Sequence, residues 1–390
     1  MSASKQELNE FRVEVAAWLK ENNPSDPGFL LPQTFMEVGD ERQLDFLRGW
    51  QHKIWSAGYL GMAWPKEYGG GGVDAIYQSI VDKEMRRLAV PICFNVIGLG
   101  WAGPLINDIG TEQQKSKYLK GILSAEDVWC QGFSEPGAGS DLANVSTSAK
   151  LKGNEYIISG SKIWTSEANK ADWMYCLVRT AKTEKKQAGI SFILLNLKQP
   201  NIEIKPIKLL SGQSPFCQVF FDDVVAKEPH RIANENEGWK VAKRLLEFER
   251  TMMADLGSEG AVDIEPIKTF KNTDALNAPG QKKLHKKIIK HELRNHLIDL
   301  TMARTGIESK SGFSPAALTL KYISTEETQA RWELNVASLG AGGLKIVEKS
   351  HGQKQEIAKS FFYSKAYTIA GGSSEVQLNI IAKHILGLPS

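Results

Sequence analysis

The chain has 390 residues, 42% hydrophobic and 24% charged, with a formal net charge of +3. That composition suits a globular protein of two or three domains with sizeable cores. It excludes a dedicated nucleic-acid binder, which would carry a basic stripe.

Residues 5–22 place Leu8, Phe11, Val15, Trp18 and Leu19 at helical spacing, and Asn22-Asn23-Pro24 stops the pattern. A second helix is expected from Arg42 to Ala57, a third from Ile76 to Leu88 and a fourth over 111–124, with a glycine-rich break at 58–72. Gly98-Leu-Gly-Trp-Ala-Gly103 is a literal G-x-G-x-x-G. It lacks a flanking strand, Pro104 follows at once, and no acidic residue stands ~20 further on in a strand, so a dinucleotide site is rejected.

After Asp127 the pattern changes to short runs rich in β-branched and aromatic residues: Tyr156-Ile-Ile-Ser, Trp173-Met-Tyr-Cys-Leu-Val, Ile190-Ser-Phe-Ile-Leu-Leu, Ile202-Glu-Ile-Lys and Val219-Phe-Phe. These predict a β-domain, a small barrel or sandwich. The helical period returns from Glu237. The basic run Gln281–Lys290 keeps Leu284, Ile288 and Ile289 at helical spacing and reads as a solvated helix face. Gly371-Gly372-Ser373-Ser374 opens a last helix. The organisation is α+β: an N-terminal α-helical domain (1–126), a middle β-barrel domain (127–235) and a C-terminal α-helical bundle (236–390).

The cysteines, Cys93, Cys130, Cys176 and Cys217, form no C-x-x-C pair, and no His/Cys cluster has zinc spacing. No apolar run approaches the ~20 residues of a membrane span, and the first residues resemble neither a signal nor a transit peptide. A reduced, cytoplasmic protein without structural disulfides or membrane attachment is expected.

The most informative stretch is Trp129-Cys-Gln-Gly-Phe-Ser-Glu-Pro-Gly-Ala-Gly-Ser-Asp-Leu142. Gly137 and Gly139 let the backbone approach a ligand without Cβ interference. Ser134, Ser140 and Asp141 set short polar groups beside backbone amides, a concavity suited to anionic or carbonyl oxygens. This segment, with "GSKIWTSEANKADW" after it, resembles the flavin-binding core of the acyl-CoA dehydrogenases. The likeness extends through "GMAWPKEYGG", "GPLINDIGTEQQKSKYL", "FFDDVV", "NEGWKVAKRLLEFER" and "AGGSSEVQLNIIAKHILG", nearly the whole chain in the expected order.

The resemblance implies the acyl-CoA dehydrogenase fold, noncovalent FAD and an acyl-CoA substrate. The implied reaction is dehydrogenation across Cα–Cβ to the trans-2-enoyl-CoA, with electrons passed to an electron-transfer flavoprotein. It assigns Gln131, Phe133, Ser134, Gly139, Ser140, Trp164, Thr165, Ser166, Ser373 and Glu375 to the cofactor. Ser140 also touches the acyl-CoA, and Arg250 matches an arginine near the substrate. Many members carry the catalytic base in a C-terminal Tyr-Glu-Gly-Thr pattern, but here Gly371 takes that position. Others carry it on an earlier helix, directly before an arginine, which here is Glu249 before Arg250. At ~100° per residue Glu249 falls on the stripe of Trp239, Ala242, Leu246 and Met253, where desolvation would strengthen it as a base. Glu247 falls on the opposite face and is a weaker candidate for a substrate contact.

Two departures bear on assembly. No Arg-x-x-Phe-Gly stretch, which reaches a neighbour's FAD diphosphate in homotetrameric members, occurs between Gly257 and Lys290. Ala337 stands where members carry a glutamine before the glycine-rich turn. Arginine's fork suits phosphate, so either a homotetramer uses other residues or a paralogous subunit supplies these contacts in a heterotetramer. Two other functions stay open: a flavoprotein of the same fold that is catalytically altered (a non-oxidative acyl-CoA lyase or a non-catalytic subunit), and a flavin-free acyl-CoA-binding scaffold.

Overall fold

Helix starts are set by short polar caps. Ser4 accepts from Glu7 N while the Glu7 carboxylate accepts from Ser4 N, a reciprocal capping box that opens α1, Lys5–Asn22. Asp40 caps α2 (Glu41–Ser56), Asp74 caps α3 (Ala75–Arg87) and Thr111 caps α5 (Glu112–Ser124), while α4 (Gly103–Ile109) follows a π-helical turn at Gly98–Ala102. The predicted bounds of α1, α2, α3 and α5 hold to within a residue or so. The computed structural model describes residues 4–24, 27–29, 31–32, 34–212, 214–259, 277–308, 314–344 and 357–389.

The chain forms two compact units, residues 1–208 with 213–248, and residues 209–212 with 249–390. In the first, α1, α2, α3 and α5 bury Val15, Leu19, Trp50, Ile54, Val81 and Leu123 in one core. The G-x-G-x-x-G glycines serve packing. A Cβ on Gly98 would meet the Asn95 side chain at 2.5 Å, and one on Gly103 would meet the Trp64 ring at 2.0 Å.

The same unit holds an eight-stranded sheet in the order β6-β7-β3-β2-β4-β5-β8, with β1 parallel beside β4. The strands are β1 Trp129–Gly132, β2 Ser148–Lys152, β3 Glu155–Ser166, β4 Trp173–Arg179, β5 Ile190–Asn196, β6 Ile202–Ile207, β7 Phe216–Lys227 and β8 Arg231–Ile232. Sequence patterning gave no sign of β1, β2 or β8, which are short. Met174, Cys176, Val178, Ile193, Leu195, Val219 and Phe221 fill the sheet's core.

Helices and sheet are joined by buried polar bonds. Asn95 N donates to Gln51 Oε1 (3.1 Å), and Asn95 Nδ2 donates to Ile122 O (3.1 Å) and Asp127 O (2.8 Å). Asn95 Oδ1 accepts from Trp129 N (3.0 Å), the first residue of β1. Arg48 reaches Ala125 O and Glu126 O, and Asp172 accepts from Val128 N (2.9 Å). The sequence boundary at 126/127 is thus crossed by hydrogen bonds that the interior would otherwise leave unmade.

The second unit contains α7 (Ala278–Glu308), α8 (Ala317–Leu339), α9 (Ile357–Ser364) and α10 (Ser374–His384); α6, Gly238–Glu259, runs into it from the first. Leu284 and Ile288 of the basic run pack on Leu334, while Ile289 stays 54% exposed. His291 and Glu327 make a buried hydrogen bond between α7 and α8. All four cysteines are free thiols, and no helix among the described residues is long and apolar enough to cross a membrane.

Candidate active site

The first unit presents one group of predicted site residues around the loop that follows β1. Glu135 pairs with Ala138 through backbone bonds at both ends, closing a tight turn over Pro136 and Gly137. A buried ion pair anchors it. Lys162, fully buried on β3, donates to Glu135 Oε1 (2.7 Å), Phe133 O (3.1 Å) and Leu177 O (2.7 Å). The Glu135 carboxylate also accepts from Ser146 N (2.7 Å), Ser146 Oγ (2.8 Å) and Thr147 N (3.0 Å). Burial pushes this carboxyl up, but the Lys162 charge and these donors outweigh it and hold the group at about 2.

With its ends held, the loop leaves its outer side bare. Gly137 and Gly139 have ordinary φ, and a Cβ on either would meet nothing within 4 Å. Neither conformation nor packing therefore requires glycine there, and the missing side chains expose backbone to a ligand. The Ser134 N–H donates to no group among the described residues, and the hydroxyls of Ser134, Ser140 and Ser166 are equally uncommitted. Gln131 Oε1 accepts from Tyr175 OH (2.8 Å). Phe133 turns inward: it is 4% exposed, its ring edge-on to Tyr175 and Phe192. Only its backbone remains for a cofactor.

Trp164 departs from an ordinary strand residue. The β3–β7 register shifts between Lys162 and Thr165, and Trp164 sits in that irregularity at φ 60°. Left-handed backbone is costly for a bulky residue, and a bulge re-aims a side chain. Here the indole is 54% exposed, edge-on to Phe216. Next to it Thr165 is fully buried, and its hydroxyl finds no partner among the described residues. An outward aromatic face, an orphaned hydroxyl, a free amide and bare glycine backbone fit a flat, hydrogen-bonding ring system such as a flavin.

The second unit carries Glu249, Ser373 and Glu375. Glu249 lies on α6 at 8% exposure, and the buried stripe of that helix runs through Val241, Ala242, Leu245 and Glu249. Trp239 and Leu246 are half-buried, so the stripe is rotated slightly from the sequence expectation. The side chains of Arg250 and Met253 lie outside the described residues. Gly371 and Gly372 are left-handed, at φ 65° and 92°. A Cβ on Gly371 would stand 3.6 Å from Glu249 Oε1 and 3.9 Å from Lys321 Cε. The carboxylate of Glu249 thus lies beside the backbone position from which other members extend their glutamate. Lys321, unremarked in the sequence, donates to Gly372 O (2.6 Å). Burial draws its pKa below 10.5, against the pull of Glu326, Glu249 and Glu375.

Ser373 caps α10 by accepting from Val376 N, and Ser374 Oγ donates to Glu326 (2.6 Å). Glu375 is exposed in the first turn of α10, its pKa lowered by its own backbone N–H and the Ser373 hydroxyl. Glu247 is exposed and ion-paired to Arg244 (2.6 Å), which also holds Asp108 (2.7 Å). The structure does not bring it beside Glu249. Among the described residues, α8 ends at Leu339 and a 3-10 turn, Gly340–Leu344, follows; of the segment Gly257–Lys290, where the diphosphate arginine was sought, residues 260–276 lie outside them.

Comparison with known proteins gives the family. Patterns for the acyl-CoA dehydrogenase N-terminal, middle and C-terminal domains match residues 31–126, 130–224 and 236–386. The chain is 34% identical to acyl-CoA dehydrogenase IpdE1 of Mycolicibacterium smegmatis, over 98% of each. A solved Tcur3481-Tcur3483 steroid acyl-CoA dehydrogenase aligns over 100% of both chains at 28% identity, TM-score 0.76. The ChsE4-ChsE5 complex of Mycobacterium tuberculosis aligns over 100% of this chain and 99% of that one at 25% identity, TM-score 0.70. The chain belongs to the acyl-CoA dehydrogenase family, the flavin-dependent oxidoreductases that act on CH–CH groups.

Proposed function

We propose that the chain binds FAD and oxidises an acyl-CoA thioester to the trans-2-enoyl-CoA, with Glu249 as the base. Bound FAD would supply the acceptor for the hydride of the β-carbon. Glu249 removes the α-proton, and partial burial makes its carboxylate a stronger base toward a weakly acidic C–H. Ser134 N–H, the Ser134 and Ser166 hydroxyls and Thr165 hold the ring by hydrogen bonds, and the Trp164 face keeps water from it. By the family resemblance Ser140 serves both cofactor and thioester, Ser373 and Glu375 serve the cofactor and Arg250 the substrate, while Glu247, exposed and paired with Arg244, is set aside as a substrate contact. An electron-transfer flavoprotein takes the electrons in the cytoplasm. The observation that carries this reading is the Glu249 carboxylate 3.6 Å from the Cβ position of Gly371.

The missing diphosphate arginine and glutamine favour a heterotetramer in which a paralogous chain supplies those contacts. Two of the similar structures bear two-chain names, Tcur3481-Tcur3483 and ChsE4-ChsE5. The word "steroid" in one of them favours a bulky, ring-containing acyl group.

The test is to express the chain alone and with a neighbouring paralogue, and to measure FAD per chain and bleaching by a panel of acyl-CoA thioesters. Bleaching with FAD held only in the two-chain complex is expected. Full, stable FAD in the lone chain refutes the heterotetramer. A colourless protein in both preparations refutes the flavin reading.

A further inference from the structure

Lys162 does more than neutralise a carboxylate. Its ammonium is completely buried and takes two backbone acceptors besides Glu135. One of them, Phe133 O at 3.1 Å, belongs to the peptide group whose N–H is that of Ser134. That N–H has no acceptor among the described residues. The other face of the segment is fixed by Ile163 N donating to Ser134 O (2.9 Å). A hydrogen bond to a carbonyl draws electron density from its amide, and chains of such bonds strengthen one another in a low-dielectric interior. A charged donor does this about twice as strongly as a neutral one.

We infer that Lys162 is a positioning residue for the cofactor: through the Phe133–Ser134 peptide it presents and strengthens the Ser134 N–H as a donor to the flavin ring. The inference rests on the reading of Ser134 as a flavin contact. When the ring gains electrons, negative charge builds on its pyrimidine end. A strengthened donor, backed by a buried cation, favours that charge and raises the reduction potential. Glu135 acts in the opposite sense, and its Ser146 and Thr147 donors do not depend on the cation.

The pair has a signature that a purely structural ion pair lacks. Glu135→Gln leaves the buried cation on its two carbonyl acceptors and shifts the midpoint potential of bound FAD upward. Lys162→Gln leaves the buried anion and shifts it downward. The double variant Glu135→Gln/Lys162→Gln, which buries no net charge, falls between them and below the unaltered protein. The measurement is spectroelectrochemical titration of the FAD-loaded protein, in the complex with its partner chain if FAD is held only there. Displacements of the same sign in both single variants, or potentials that do not move while FAD stays bound, overturn the inference. If Lys162→Gln fails to fold, Glu135→Gln and the double variant still decide it: the double variant must lie below Glu135→Gln. Absence of FAD from the unaltered protein sinks the flavin reading, and this inference with it.

Discussion

Replacing Lys162 by methionine removes the only cation bonded to Glu135 among the described residues. Glu135 is 5% exposed, so solvent screens the loss little. Its carboxyl is held at about 2, against an ordinary 4.5. At about 1.4 kcal/mol for each tenfold, that difference contributes about 3 kcal/mol of stability at neutral pH. Because the folded value is the lower one, the contribution is complete above pH 4.5 and is lost as pH falls from there toward 2. Lys162→Met should cost about 3–5 kcal/mol at pH 7, since it strands a buried charge, and the double variant Lys162→Met/Glu135→Gln should cost less. Urea unfolding at pH 7 and at pH 3, followed by tryptophan fluorescence, measures both. The gap between Lys162→Met and the unaltered protein should narrow at pH 3. A gap of less than ~1 kcal/mol at pH 7, or one unchanged at pH 3, would refute the reasoning.

Asn95→Ala should destabilise by about 2–3 kcal/mol in the same assay, because Trp129 N and Asp127 O lose their buried partner together, while Ile122 O keeps Gln51 Nε2. Gly371→Ala should cost about 1–2 kcal/mol, since its φ of 65° disfavours any Cβ while the 3.6 Å contact to Glu249 is ordinary. Thermal unfolding checks it, and no loss would mean the turn relaxes freely. Trp164→Ala should change stability by under ~0.5 kcal/mol, its ring being largely exposed, yet speed FAD release measured by flavin fluorescence. Unchanged release would remove the indole from the cofactor site.

Helices were legible because their apolar residues repeat at 3.6 and their caps stand in the sequence, as Ser4 and Thr111 do. β1 and β2, of four and five residues, were hidden because so short a run carries no reliable alternation. The loop over 129–142 was legible from its glycines and serines, but not what holds it. Glu135 and Lys162 are 27 residues apart, and only a lysine at an inward strand position hints at a buried partner. Phe133 shows what a motif leaves out, namely which way its ring turns. Its place in the motif suggests a cofactor contact, while its ring packs on Tyr175 and Phe192. The exposure of Trp164 was equally invisible, because an aromatic in a strand pattern ordinarily faces a core and only the register shift turns it out.

Rapid mixing of the FAD-loaded Glu249→Gln variant with an acyl-CoA that bleaches the unaltered protein tests the central claim most directly. With FAD still bound, the rate of bleaching should fall by about 100-fold or more, as loss of a general base requires. Bleaching at the unaltered rate would contradict the assignment of Glu249 as the base.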